Sequence, residues 1–251
     1  MNDQEIYEKI ADLLASTHNT VVVTGAGIST EAGIPDFRGE KGIYRTLGED
    51  KVVSLLNIKA FRRKPREFYE FYRNYFMMPQ VKPSRAHLLL AEMEKKGIIR
   101  AIVTQNIDNL HHAAGSRNVI AVHGNAEQFY CTRVGCNTIA DADYVRSYPE
   151  VVPKCSQCGS ILKPDVVLFG EPIQNHRRAR DTILSAQVLI VIGSSLTVYP
   201  LASFVGEYCA SRKKFIIINK GPTALDHVAT VKLETNQTGD ALEEIYKLIK
   251  R

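Results

Sequence analysis

The stretch VVVTGAGISTEAGIPDFRG, residues 21–39, decides the reading of the fold. Four β-branched residues, Val21 to Thr24, run into Gly25-Ala26-Gly27, the pattern of a strand that feeds a glycine turn. Such a turn presents bare backbone N–H groups to an anion, and a helix that starts there adds its positive end. The next glycine is Gly33, so the spacing is not the G-x-G-x-x-G of hydride-transfer enzymes. No G-K-[ST] ending marks a P-loop. The loop closes instead on Pro35-Asp36-Phe37-Arg38, a rigid, charged and aromatic group.

Outward from this loop, short apolar runs alternate with helical patterns. Residues 20–24, 98–104, 118–122, 164–169, 187–193 and 214–219 read as strands. Most are continuously apolar, as expected of strands covered on both faces of a parallel sheet. Helices are expected near 2–16, 65–78, 84–96, 174–185, 200–212 and 239–250. The alternation predicts an α/β fold on a doubly wound, parallel, Rossmann-like sheet, with ligands at the carboxyl ends of its strands. Two segments interrupt it. Residues 37–82 carry aromatics at helical spacing (Phe61, Phe68, Tyr69, Phe71, Tyr72, Tyr75, Phe76), which read as a small core. Residues 127–163 hold four of the five cysteines. The expected division is a Rossmann-like domain from 1–36, 83–126 and 164–251, with a smaller domain made of a helical module (37–82) and a cysteine ribbon (127–163).

With 251 residues, 45% hydrophobic and 24% charged, the chain reads as an ordinary soluble globular protein. Its net charge of +5 is spread along the sequence, so a nucleic-acid footprint is not expected. No apolar run nears the ~18 residues of a membrane span. The segment MNDQEIYEKIADLLAS reads as an amphipathic helix and lacks the basic and apolar regions of a signal peptide. Cysteines in such a chain read as thiols or metal ligands, and a cytoplasmic compartment is expected.

CTRVGC supplies Cys131 and Cys136, and CSQC supplies Cys155 and Cys158. Two cysteine pairs follow the logic of a zinc ribbon, although the first is C-x₄-C rather than C-x₂-C. Four thiolates would close a tetrahedron and leave no open position, so the predicted Zn²⁺ is structural and supplies the stability that a module this small lacks. Cys209 falls outside the set, on an expected helix, and reads as a buried apolar residue.

Gln105, Asn106 and Asp108, in QNIDNLHHAAG, fall just past an expected strand. Amides donate and accept at once and can recognise a carboxamide, while an ionised aspartate suits a hydroxyl or an amide N–H. His123, in VHGN, ends the next strand and can exchange protons near neutral pH. Gly193, Ser194 and Ser195 offer a second place for phosphate or ribose at a strand end.

In this order and spacing, GAGIS, GIPDFRG, TQNIDNLH, HG, the cysteine quartet, FGE, GSSL and IN resemble the sirtuins, over almost the whole chain. The resemblance implies an NAD-dependent protein lysine deacetylase that breaks the bond between nicotinamide and ribose and moves no hydride. It implies that Gly25, Ala26, Gly27, Ile28 and Thr30 line the nucleotide loop, and that Asp36, Phe37 and Arg38 form a mobile cofactor loop with Phe37 shielding the ribose. Asn106, Ile107 and Asp108 would form the nicotinamide pocket, with Gln105 on the ribose. His123 would be the base, sharing the catalytic role with Asn106. Gly193, Ser194, Ser195, Asn219, Lys220 and Asp240 would complete the NAD contacts. Val167, Leu168, Phe169, Gly170, Glu171 and Val198 would receive an acetyl-lysine peptide as an added strand. Nicotinamide is then expected as a product inhibitor, and a monomer is the default.

Sirtuins that prefer succinyl or malonyl lysine carry Tyr-x-x-Arg in the helical insertion. Here three residues on from Tyr69 stands Tyr72, and Arg73 is one place later, turned by about 100° on a helix. A deacetylase is therefore expected. Rival readings are a protein mono-ADP-ribosyltransferase, a non-catalytic NAD or ADP-ribose sensor and, least supported, a dehydrogenase, which the loop spacing and Asn219 both oppose.

Overall fold

The computed structural model describes residues 2–40, 42–77 and 81–249. The chain opens with α1 (Asp3–Ala15), held by a capping box in which Glu5 N donates to Asn2 Oδ1 at 2.9 Å and Asn2 N to Glu5 Oε2 at 3.1 Å. Strand β1 (Thr20–Thr24) follows, then a tight 3-10 turn (Ala26–Ala32). Four short helices come next: α2 (Ile43–Leu47), α3 (Glu49–Leu55), α4 (Ile58–Arg63) and α5 (Pro65–Tyr75). The chain then returns through α6 (Arg85–Lys95), β2 (Ile99–Thr104), α7 (Leu110–Ala113) and β3 (Val119–Ala121). A smaller excursion contains β4 (Gly124–Cys131), β5 (Ile139–Asp141), α8 (Ala142–Ser147) and β6 (Leu162–Val166). The remainder is α9 (His176–Ser185), β7 (Val188–Ile192), α10 (Leu201–Ala210), β8 (Lys214–Ile218), β9 (Val231–Leu233) and α11 (Thr238–Ile249).

The main sheet runs in the order β3-β2-β1-β7-β8-β9, all parallel. Alternation along each strand explains the continuous apolar runs. Val22, Ile102, Ile190, Ile216 and Ile218 face one layer with α1, α6 and α11, while Val21, Val23, Val103, Leu189, Val191 and Ile217 face the other with α9 and α10. Strand order reverses at β1, with β2 on one side and β7 on the other, which opens a crevice at their carboxyl ends.

A three-stranded antiparallel sheet, β5-β4-β6, joins the helical module in a third core. Phe68, Tyr69, Tyr72 and Phe129 are fully buried there, and the Tyr69 hydroxyl donates to the Leu162 carbonyl. The aromatic stripe is thus packing.

Residues 164–169 differ from expectation. The strand is β6, it pairs antiparallel with β4, and its burial alternates along LKPDV. Val167 to Phe169 is apolar but irregular, because its backbone bonds go to His123 and to the α3–α4 link instead of a ladder. Expected helices near 65–78 and 239–250 end at Tyr75 and Ile249; Met78 and Lys250 lie outside the described residues. No helix among the described residues is long and apolar enough to cross a membrane.

Candidate active site

The glycine loop and the loop after β7 are built against each other. Gly25 N donates to Ile192 O at 3.0 Å and Gly27 N to Gly193 O at 2.9 Å, while Gly193 N reaches Ile218 O at 3.0 Å. A Cβ on Gly27 would lie 2.7 Å from Gly193 Cα, and one on Gly193, whose φ is +62°, would lie 2.4 Å from Ile28 N. Glycine is required here by backbone contact as well as by φ. Ile28 is fully buried, and the Thr30 hydroxyl turns inward to Gly27 O at 2.9 Å. From the second loop, Ser194 Oγ donates to Gln105 Oε1 at 2.9 Å, and Ser195 Oγ meets Thr197 Oγ1 at 2.9 Å. Asn219, nearly buried past β8, spends its Nδ2 on the carbonyls of Lys220 and Gly221, each at 3.2 Å, which leaves Oδ1 as its free acceptor side. Lys220 itself is exposed, 3.7 Å from Glu40.

Asn106 and Asp108 meet the first loop through a residue that the motif reading passed over, while Gln105 is held by the second loop through Ser194. Ser29, 1% exposed, donates to Asp108 Oδ2 at 2.6 Å and accepts from Asn106 Nδ2 at 3.1 Å. Asp108 Oδ1 also accepts from Leu110 N at 3.0 Å, which fixes the carboxylate. Its place between Ile28 and Thr30, inside a turn of candidate residues, is all that points to it in the sequence. Ile107 is half-buried beside this cluster, and its carbonyl accepts from Ala126 N at 2.9 Å.

Below lies a buried polar layer. Thr24 Oγ1 donates to Thr104 Oγ1 at 2.8 Å and contacts His111 Nε2 at 2.9 Å, and Asn106 N donates to Thr104 Oγ1 at 3.1 Å. His87 packs on His111 with ring centroids 4.8 Å apart. Burial lowers both rings, His87 to about 4 against an upward pull from Asp108, and His111 to about 3 with His87 and His112 adding to the effect.

His123 sits between β3 and β4, half-buried. Its Nδ1 is 3.0 Å from the Gln105 carbonyl, which can only accept, so Nδ1 carries the proton and Nε2 is left as a base. Burial lowers its pKa, and the Gln105 bond pulls partly the other way. Val167 N donates to His123 O at 2.9 Å, tying the histidine to segment 167–171. In that segment Phe169 pairs with Leu56 O and Ile58 N at 2.8 and 3.1 Å, and Leu168 and Glu171 close a turn at Gly170, φ +92°. Val198 lies in the neighbouring loop, where its carbonyl accepts from Ala202 N at 3.2 Å.

Asp36 caps its own loop through Gly39 N at 2.7 Å, and Phe37 rests on Tyr44 and Phe76 with centroids 5.4 and 6.2 Å apart. Arg38 lies 4.9 Å over the Tyr44 ring and pairs with Glu49 at 3.2 Å. Asp240 is placed differently from the rest: its carboxylate pairs with Arg85 at 3.2 Å, and the adjacent Gly239 N donates to Glu31 Oε1 at 2.9 Å.

The four ribbon cysteines converge. Their sulfurs all lie within 4.8 Å of one another, with Cys131 to Cys158 at 3.4 Å and Cys136 to Cys155 at 3.7 Å. A zinc tetrathiolate with Zn–S of about 2.3 Å has sulfur–sulfur edges of about 3.8 Å, so the thiols fit Zn²⁺. Gly135 (φ +82°) and Gly159 (φ +71°) turn the two knuckles, and Arg133 N donates to Cys131 Sγ at 3.4 Å. Cys209 is separate, half-buried against the sheet core.

The fold and site therefore define a nucleotide-binding α/β protein with a zinc-ribbon module set beside its crevice. The Sir2 family model matches residues 25–200, and the chain belongs to the Sir2 family. An NAD-dependent protein deacetylase of Sulfurisphaera tokodaii is 44% identical over 228 residues, covering 89% of this chain and 88% of that protein. One of Thermotoga maritima is 42% identical over 228 residues, covering 90% and 91%. A solved Sir2 structure with a p53 peptide and NAD⁺ superimposes with a TM-score of 0.81 at 39% identity, covering 96% of each chain.

Proposed function

We propose that this chain removes acetyl groups from protein lysines at the expense of NAD and one water, which enters after nicotinamide has left and completes cleavage of the amide C–N bond, giving nicotinamide, the free lysine and O-acetyl-ADP-ribose. One observation carries the reading: the Gln105 carbonyl holds His123 Nδ1 and leaves Nε2 bare, beside the Ser29–Asn106–Asp108 cluster at the carboxyl ends of the central strands. The names of the relatives and the peptide and NAD⁺ of the solved Sir2 structure support it.

NAD supplies an electrophilic ribose carbon as nicotinamide leaves, and the acetyl oxygen is the nucleophile. The paired glycine turns, whose Gly25, Gly27 and Gly193 N–H groups are spent on each other and on the ends of β7 and β8, shape the crevice in which Ser194, Ser195 and Asn219 meet phosphate and ribose groups by hydroxyl and amide contacts. Asn106 and Asp108 recognise the carboxamide, their orientation fixed by Ser29, and the same pocket accepts free nicotinamide as an inhibitor. Phe37 excludes water from the reacting carbon when its loop closes. His123 Nε2 takes a proton from a ribose hydroxyl. The acetyl-lysine peptide pairs with segment 167–171 as an added strand. The chain acts as a monomer in the cytoplasm, where its thiols stay reduced.

Acetyl is preferred over succinyl. Arg73 donates from Nε to Val151 O at 2.9 Å and from Nη2 to Glu150 O at 3.1 Å, so its guanidinium clamps the ribbon module instead of a substrate carboxylate. Turnover of succinyl-peptide above acetyl-peptide at equal concentration would contradict this. The function itself is tested by His123→Ala, which keeps NAD binding and loses at least ~100-fold in acetyl release. Unchanged turnover removes His123 from the chemistry.

A further inference from the structure

Lys163, on β6, has no part in the chemistry above, yet its ammonium is fully engaged. It lies 3.0 Å from Glu171 Oε2 and donates to Val166 O at 2.9 Å and Pro164 O at 3.2 Å. An ammonium has three donors, and here all three stay within residues 164–171. The pair keeps only 21% and 25% side-chain exposure, against 64% and 54% for the surface pair Lys64–Glu67. It is therefore a charge-assisted contact shielded from solvent.

We propose that Lys163 is a positioning residue for the acyl-lysine peptide: it locks Glu171, and through it the backbone of segment 167–171, in the shape that pairs with the incoming strand. The inference rests on the deacetylase reading. The carboxylate oxygen that meets Lys163 also accepts from Leu168 N at 2.9 Å, while Glu171 N returns a bond to Leu168 O at 2.9 Å. Val167 N is held by His123 O, and both backbone groups of Phe169 are held by residues 56–58. Among the described residues this leaves the Val167 carbonyl, the Gly170 N–H and the carbonyls of Gly170 and Glu171 for pairing with a peptide. Glu171 thus contributes by fixing the segment, its carboxylate already spent on Lys163 and Leu168 N.

Without the ammonium, the carboxylate is left part-buried and unpaired, and Leu168 loses its fixed acceptor. The peptide must then order the segment as it binds, a cost that falls on peptide affinity and spares NAD. The test is steady-state kinetics of Lys163→Met, which keeps the aliphatic stem, with acetyl-peptide and NAD varied separately. The KM for peptide rises about 10-fold, about 1.4 kcal/mol, while the KM for NAD stays within about 2-fold. Lys163→Arg recovers most of the loss, and Glu171→Gln, a second variant, gives the same selective rise. An active parent with unmoved peptide KM in both variants overturns the latch alone. Equal rises in both KM values, or no recovery with arginine, mark a general loosening and overturn it too. A parent that releases no acetyl overturns the deacetylase reading, and the latch with it.

Discussion

Gly193→Ala tests whether the two glycine turns position the nucleotide. The new Cβ would lie 2.4 Å from Ile28 N and 2.7 Å from Gly27 C, both backbone atoms that no rotamer change can move. Ordinary contact begins near 3.4 Å, so the loops must part by about 1 Å. The left-handed φ of +62° adds strain of about 1–2 kcal/mol. Gly97→Ala is the matched control, because Gly97 has φ +74° and nothing within 4 Å of its Cβ position. Both variants lose stability from strain, about 2–4 °C in Tm per kcal/mol for a chain this long. Only Gly193→Ala displaces the loop, and a 1 Å misplacement costs about 100-fold in rate. Initial rates with NAD varied at saturating peptide, below both Tm values, give the comparison. The expected kcat/KM for NAD falls about 100-fold in Gly193→Ala and less than about 2-fold in Gly97→Ala. A folded Gly193→Ala with kcat/KM for NAD within about 3-fold of the parent refutes the reasoning.

Because burial lowers His123, the neutral base is populated further into acid than a free histidine, so the acid limb of kcat/KM should inflect below pH 6.5; an inflection above that value would contradict the assignment. The buried pair His87 and His111 predicts acid lability. With folded pKa values of about 4 and about 3, both below the unfolded value, their contribution is full above about pH 6.5 and is lost as pH falls toward 3. At pH 5 the loss is on the order of 4 kcal/mol together, read by urea unfolding at pH 5 and pH 7.5, and equal stabilities would show that the rings titrate normally. Cys155→Ser should lower bound zinc from one per chain toward none and loosen the ribbon module, measured by metal analysis and limited proteolysis, whereas full zinc retention would rule out the four-thiolate site.

How much was legible follows from what each signal encodes. Val21 to Val23 read as a central strand because alternate residues feed two different cores, and the result is apolar on both faces. The cysteine quartet was legible because metal binding needs that residue type at that spacing, and the structure places the four sulfurs together; His123 was marked by its place after an expected strand and by the resemblance, and the structure places it between β3 and β4. Segment 164–169 misled because VVLF carries strand composition while its backbone bonds are spent on residues 56–58 and 123. That pairing depends on a tertiary approach which local sequence does not contain. Ser29 was hidden for a related reason: its partners, Asn106 and Asp108, are some 80 residues away, and one hydroxyl in a polar turn looks like any other. β9, three residues at the sheet edge, is too short to leave a periodic signal.

The central claim is that NAD is consumed to remove acetyl from lysine. The most direct measurement is mass spectrometry of an acetyl-lysine peptide incubated with the protein, with and without NAD. The account predicts loss of acetyl only with NAD, and nicotinamide and O-acetyl-ADP-ribose in equal amounts. An ADP-ribose adduct on protein with the acetyl peptide intact, or NAD bound but not consumed, would contradict it.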